Sequence, residues 1–118
     1  MHGVGVDLLE IERLERALAR RPGLAERLFT ERERAYAADK PRGGAQHLAA
    51  RFCAKEAVSK ALAMDVFRPR EIEVVGTGGA PGVTLHGAVA ARAAELGLDV
   101  QVSLTHTRVT AGAVAVAV

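Results

Sequence analysis

The stretch RFCAKEAVSKALAM, residues 51 to 64, constrains the fold of this chain more than any other. It holds no proline or glycine, it is rich in Ala and Lys, and its propensities are those of a helix built for burial. Leu48, Phe52, Glu56 and Lys60 follow one another at i,i+4, so they form one stripe that turns by only about 40° per step. A carboxylate and an amine therefore continue the line that Leu48 and Phe52 would bury. As an ion pair in the favoured orientation, Glu56 and Lys60 contribute about 0.2–0.5 kcal/mol to a helix. A partly buried carboxylate also needs a cation or several donors to stay charged. Lys60 is one such cation, and a bound metal ion is another.

The rest of the chain can be read around this helix, which the pattern runs from about Ala45 to Met64. GVGVDLL (3–9) alternates and reads as a strand ending near Asp7. A helix from about Glu10 to Arg21 follows, stopped by Pro22-Gly23, with Ile11, Leu14 and Leu18 as its apolar stripe. LAERLF is a short helical turn. TERE (30–33) is a capping box, in which the Thr30 hydroxyl and the Glu33 carboxylate satisfy each other's backbone N–H groups and open a helix to about Ala38. DKPRGG (39–44) is a loop by its proline and glycines. REIEVVG and GVTLHG read as a hairpin joined by the Gly-rich turn TGGAP, and residues 87–97 as an Ala-rich helix closed by Gly97. DVQVSLTHT and VTAGAVAVAV alternate and form a terminal hairpin whose last strand looks like an exposed apolar edge. The whole is a small α+β domain, residues 1–118, with a mostly antiparallel sheet packed on the long helix.

Composition narrows the function classes. Sixteen Lys and Arg against fourteen Asp and Glu give a net charge of only +2, and aromatics make up 3% of the chain. Global charge thus gives little reason for a nucleic-acid partner, and stacking platforms for single strands are missing. Cys53 is the only cysteine, so no intrachain disulfide forms, and its setting FCAKEA reads as apolar packing in a reducing compartment. The N-terminus meets acidic residues within ten positions and has no long apolar run. Nowhere does an apolar run approach the roughly 18 residues of a membrane span. A cytoplasmic protein with no membrane partner is the expectation.

Several polar residues have two readings each. Asp7, between a strand and a helix, can cap that helix. It can also converge with Glu56 on Mg²⁺, which takes one or two protein carboxylates plus phosphate oxygens and waters. In SLTHT (103–107), alternation puts Ser103 and Thr105 on one face and Leu104 and His106 on the other, where a lone His is ordinarily a packing residue. GTGGAPG (76–82) suits a hairpin turn or a close backbone approach to phosphate. Arg13, Arg16 and Arg20 fall in one row opposite the apolar stripe of their helix, as a solvated face or as a docking surface.

Taken in order, five segments resemble one family, the holo-[acyl-carrier-protein] synthases or small-class 4′-phosphopantetheinyl transferases. GVGVDLLEIERL is similar to its opening G-[IV]-D-[IL]-[VL]-x-I-x-R, and LFTERE to its F-[ST]-x-x-E. RFCAKEAVSKAL matches R-[FW]-A-x-K-E-A-x-x-K-A-[LF] with Cys53 for the usual Ala. EIEVVGTGGAPGVTLHG resembles the [ED]-[IV]-E-[VI]…G-x-P…L-x-G hairpin, and VSLTHT the late [VI]-S-[LI]-[ST]-H. The family usually has Gly after K-A-[LF], where Ala63 stands here.

The resemblance implies transfer of 4′-phosphopantetheine from coenzyme A to a serine of apo acyl carrier protein, releasing adenosine 3′,5′-bisphosphate. It implies Asp7 and Glu56 as Mg²⁺ ligands and Lys60 as the neutralising cation on the phosphates. Arg51, Ser59 and His106 would touch the nucleotide phosphates, and Pro81 and Gly82 would shape the loop near the adenosine. A homotrimer is implied, with His106 and Glu56 meeting across a subunit interface. The row Arg13, Arg16 and Arg20 would dock the acidic carrier. The rival classes are a non-catalytic coenzyme A-binding module and a basic nucleic-acid-binding module with steeply salt-dependent affinity.

Overall fold

The alternating segments from the two ends of the chain meet in one antiparallel sheet of the computed structural model, which describes residues 2–76 and 80–118. β1 (Gly3–Glu10) pairs along its length with β5 (Thr110–Ala117), and β4 (Val100–His106) pairs with the other side of β5. The order is β1-β5-β4. The terminal AVAVAV strand is therefore central, not the apolar edge that its sequence suggests; β1 and β4 are the edges. Period-two alternation fixes which faces a strand has, but not which neighbours it acquires. On β5, Ala111, Ala113, Ala115 and Ala117 form one buried face.

That face is covered by α4 (Ala45–Ala61), and the contact is close because both sides are small. Gly3 and Gly5 of β1 lie against the helix, where an added Cβ would run into the backbone carbonyls of Ala61 and Ala57. α1 (Ile11–Arg20), α2 (Leu24–Leu28) and α3 (Glu31–Ala38) follow β1, with Ile11, Leu14, Phe29 and Ala37 buried. β2 (Ile72–Val75) and β3 (Gly82–Leu85) pair as a separate antiparallel hairpin, followed by α5 (Gly87–Leu96) with Gly97 as its left-handed cap. The middle of the expected Gly-rich turn, residues 77–79, lies outside the described residues. Among the described residues no helix is long and apolar enough to cross a membrane.

Three expectations need correction. From Leu48 to Ala61, α4 is buried nearly all the way round. The stripe Phe52, Glu56, Lys60 is its open seam: the first two are half-buried and Lys60 is exposed. The sheet covers the Ala-rich faces of the helix, so the polar stripe is left where the covering elements part. Asp7 is no helix cap, because β1 continues three residues beyond it and Glu10 occupies the cap position without a side-chain bond. The long helix ends at Ala61, not Met64. Ala63 N–H donates to the Lys60 carbonyl at 3.1 Å and Met64 N–H to the Ser59 carbonyl at 3.0 Å, with Ala63 at φ +52°. That is the Schellman stop, with Ala at the left-handed position that glycine prefers.

The capping box is present: Thr30 N–H donates to Glu33 Oε1 at 2.8 Å, and Glu33 N–H to Thr30 Oγ1 at 3.3 Å. Glu33 does more than the sequence shows. It is fully buried, accepts from Val74 N–H at 2.8 Å, and pairs at 2.7 Å with Lys55, which is equally buried. Lys55 spends its other donors on the carbonyls of Pro69 (2.7 Å) and Ile72 (2.6 Å), so one saturated ion pair ties α3, α4 and the start of β2 together.

Candidate active site

The alternation of β1 directs Asp7 toward the open seam of α4. Lys60 Nζ donates to the Val6 carbonyl at 2.9 Å and lies 3.5 Å from Asp7 Oδ1, so its partner is the strand carboxylate across the seam. No Glu56–Lys60 ion pair is found among the described residues, although their spacing permits one. Glu56 holds its proton above the usual carboxylate range, first because of burial and then because of the Asp7 charge, with Lys60 opposing both. Beneath them Cys53 is buried, and its thiol is pushed up to about 12 by burial and by Asp7. Cys53 therefore stays protonated at neutral pH and packs, as its sequence setting suggests.

Asp7 and Glu56 open onto a cavity of about 430 Å³ whose lining also includes Arg13, Leu14, Leu28 and Phe52. Two carboxylates that repel each other, with one partly exposed lysine between them and solvent, have room and charge for a divalent cation. No group of three or more His, Cys, Asp or Glu converges among the described residues. A pair of carboxylates is nevertheless the share that Mg²⁺ commonly takes from protein, with water and phosphate oxygens completing its shell. The donor set fits that ion.

A second cluster lies round the helix. Arg51, five residues before Glu56, points about 140° away from it. The Arg51 guanidinium carbon sits 4.1 Å from the Tyr36 ring centroid, and Lys40 Nζ sits 4.6 Å from the same centroid. His47 meets Tyr36 edge-on at 5.5 Å and His106 at 5.9 Å. Burial lowers the proton affinity of His47, and the charges of Arg51, His106 and Lys40 lower it further. Arg51 is 6% exposed, and its Nε has no hydrogen-bond partner among the described residues. Tyr36, His47, Arg51 and His106 line a cavity of about 150 Å³ with Pro81 and Thr105, and no carboxylate among the described residues lines it. A concave, cationic surface with an unspent buried donor suits an anion.

The candidate residues thus fall into two groups on different sides of α4. Asp7, Glu56 and Lys60 come together, as do Arg51, Pro81 and His106. Ser59 is buried on α4 about 12 Å of helix beyond Arg51, apart from that cluster. Gly82 opens β3 opposite Val75. Arg13 borders the carboxylate cavity, while Arg16 pairs with Glu12 at 3.8 Å on the surface and Arg20 is exposed. The sequence reading missed Tyr36, Lys40 and His47, which come from α3, a loop and the first turn of α4. No periodicity links those positions; the basic loop DKPRGG was their one visible hint.

The chain is similar to known proteins along nearly its whole length. The 4′-phosphopantetheinyl transferase superfamily matches residues 3–116. A holo-[acyl-carrier-protein] synthase of Streptomyces avermitilis is 51% identical over 118 residues, covering 98% of this chain and 95% of its own. The crystal structure of a holo-[acyl-carrier-protein] synthase from Neisseria meningitidis superposes with TM-score 0.89 at 26% identity, covering 100% of this chain and 98% of its own. A Helicobacter pylori holo-[acyl-carrier-protein] synthase in complex with coenzyme A superposes with TM-score 0.80 at 26% identity, over 98% of this chain and 99% of its own.

Proposed function

The chain belongs to the 4′-phosphopantetheinyl transferase superfamily, and on that premise we propose that it moves 4′-phosphopantetheine from coenzyme A to a serine of apo acyl carrier protein. The serine oxygen bonds to the phosphorus that bears the pantetheine. The pyrophosphate bond on the far side breaks, adenosine 3′,5′-bisphosphate leaves, and the serine proton passes to water or a carboxylate. Such a transfer needs in-line placement and charge neutralisation more than covalent help from the protein. The observation that carries this reading is the Asp7–Glu56 pair with Lys60 at the open seam of α4.

In this reading Asp7 and Glu56 hold Mg²⁺, which supplies positive charge to the pyrophosphate oxygens when bound. Lys60 leaves Asp7 to neutralise the phosphates and the departing bisphosphate. Arg51 and His106 receive nucleotide phosphate in the cationic cavity, with Pro81 and Gly82 on the hairpin beside the adenosine and Ser59 at the phosphates near the end of α4. Arg13, Arg16 and Arg20 present a basic face to the acidic carrier, with Arg13 at the lip of the carboxylate cavity. Both substrates place the reaction in the cytoplasm.

A trimer reconciles the two separated clusters. The sheet face turned away from α4 carries Val4, Val6 and Leu8 of β1, with Leu8 72% exposed, beside Val114 and Val116 of β5. An apolar face of that size calls for a cover. Copies packed through it bring the Arg51–His106 cluster of one subunit toward the carboxylates of the next.

The test is to incubate the protein with apo carrier, coenzyme A and Mg²⁺ and to weigh the carrier. A gain of one phosphopantetheine per carrier is expected, with loss of the gain when Mg²⁺ is chelated. An unmodified carrier beside measurable coenzyme A binding makes the chain a non-catalytic binding module instead.

A further inference from the structure

A cation held by a carboxylate gives part of its N–H donors to that partner. A cation held over an aromatic ring keeps them, because the ring offers a π-face and asks for no N–H. Around Tyr36 the second situation prevails. Arg51 and Lys40 approach one ring at 4.1 and 4.6 Å, and His47 stands edge-on to it. Among the described residues no carboxylate lines the cavity that Tyr36, His47 and Arg51 share, and Glu33, which lines the adjoining one, is taken by Lys55. Arg51 forms no ion pair among the described residues, and its buried Nε is without a partner. Lys55, one turn further along the same helix, is the contrast: it is equally buried, saturated by Glu33 and two carbonyls, and has nothing left to offer a ligand.

We propose that Tyr36 is a positioning residue for the anion site: its ring holds the Arg51 guanidinium, with Lys40 beside it, so that their donors stay uncommitted for a phosphate group of the nucleotide. Two cavities of about 80 and 150 Å³ meet at Tyr36, Arg51 and Gly76, so the ring stands in the wall that they share. The ring acts through Arg51 and Lys40 and need not touch the ligand. Its hydroxyl is dispensable, since the contact is made by the π-face. The proposal rests on the reading of Arg51 as a phosphate-binding residue.

Calorimetry with adenosine 3′,5′-bisphosphate, together with steady-state kinetics, tests it. Tyr36→Leu should weaken the bisphosphate and raise the KM for coenzyme A by about tenfold, the scale of a desolvated cation–π contact, with the KM for carrier protein unchanged. Tyr36→Phe keeps the ring and should stay within about twofold of the parent. Adenosine 5′-monophosphate, with one phosphate fewer, should lose less than the bisphosphate on Tyr36→Leu. Equal losses in the Phe and Leu variants would mean that the hydroxyl acts, and would overturn the proposal. So would parent-like binding by a folded Tyr36→Leu. If Tyr36→Leu does not fold, Tyr36→Phe and Lys40→Gln decide: retention by the first with a weakened bisphosphate in the second supports the ring, and any other pattern overturns it. Arg51→Gln separates the two levels. Parent-like bisphosphate binding in that variant sinks the phosphate reading itself, whereas its loss with normal binding in Tyr36→Leu sinks only the role of the ring.

Discussion

At the scale of single residues, two side chains sit where local physics disfavours them. Ala63 adopts φ +52°, a left-handed conformation that its Cβ resists by about 1 kcal/mol. Ala63→Gly should therefore stabilise the fold by about 1 kcal/mol, less the extra freedom that glycine gives the unfolded chain, seen as a raised midpoint in urea at unchanged m-value. A drop in the midpoint would mean that the methyl group packs more usefully than its backbone strain suggests. Glu56 is the second. Its folded proton affinity is raised, so the metal-free fold is favoured below the unfolded pKa and loses stability as pH rises through the folded one. Glu56→Gln removes that loss. The metal-free variant should melt above the parent at about pH 7, with the gap closing toward about pH 4. Added Mg²⁺ should raise the parent's Tm and leave the variant's nearly fixed, because only the parent keeps both carboxylates. A variant that melts below the parent at neutral pH would show that Glu56 is better accommodated than its burial beside Asp7 indicates.

At the scale of elements, α1 shows how far a periodic pattern reaches. Its stripe of Ile11, Leu14 and Leu18 packs inward, and Arg13, Arg16 and Arg20 project away, as spacing alone requires. Reversing all three arginines to glutamate should then change stability by less than about 0.5 kcal/mol each. The KM for carrier should rise strongly while that for coenzyme A stays put, and added salt should slow the parent more than the variant. Normal carrier modification by the variant at low salt would return α1 to a plain solvated face. The strands, the capping box, the Gly97 cap and the hairpins were legible for the same reason, since each is a local rule. Apart from the Asp7 cap and the last turn of α4, both misread locally, what the sequence hid is non-local. Glu33 looked like half of a cap and proved to be the counter-ion of Lys55. Glu56 and Lys60 looked like partners, yet Lys60 turns to Asp7 of β1. The seam of α4 was read as core because spacing places residues on a common stripe without saying which stripe the neighbours leave uncovered.

At the scale of the whole molecule, a single copy holds both parts of the proposed site on different faces, and its sheet leaves Val4, Val6 and Leu8 uncovered. If neighbouring subunits complete each site, Glu56→Gln and His106→Ala should each be inactive alone and should complement one another when exchanged into mixed trimers. Equal mixing should restore about one quarter of the parent's sites by random assortment in a cyclic trimer. No recovery from mixed trimers shown by light scattering to have formed would place both residues in the service of one subunit. Val6→Asp, which puts charge on the open sheet face, should give monomers that retain helical signal and lose turnover.

The pairing of Gly3 with Ala117 has a consequence for how the molecule comes into being. β1 emerges well before β5, the strand that completes the ladders of both of its neighbours. At about 5–20 residues per second, β1 waits unzipped for roughly 5–20 s while the chain up to β5 is made, whereas β4 directly precedes β5. One face of α4 waits as well, because the alanine wall that covers it belongs to β5. Ladder contacts that span nearly the full sequence also slow the search once the chain is free. The nascent protein should therefore remain protease-sensitive, and a client for chaperones, until β5 clears the ribosome; a stalled chain ending before Thr110 should show no protected core at all.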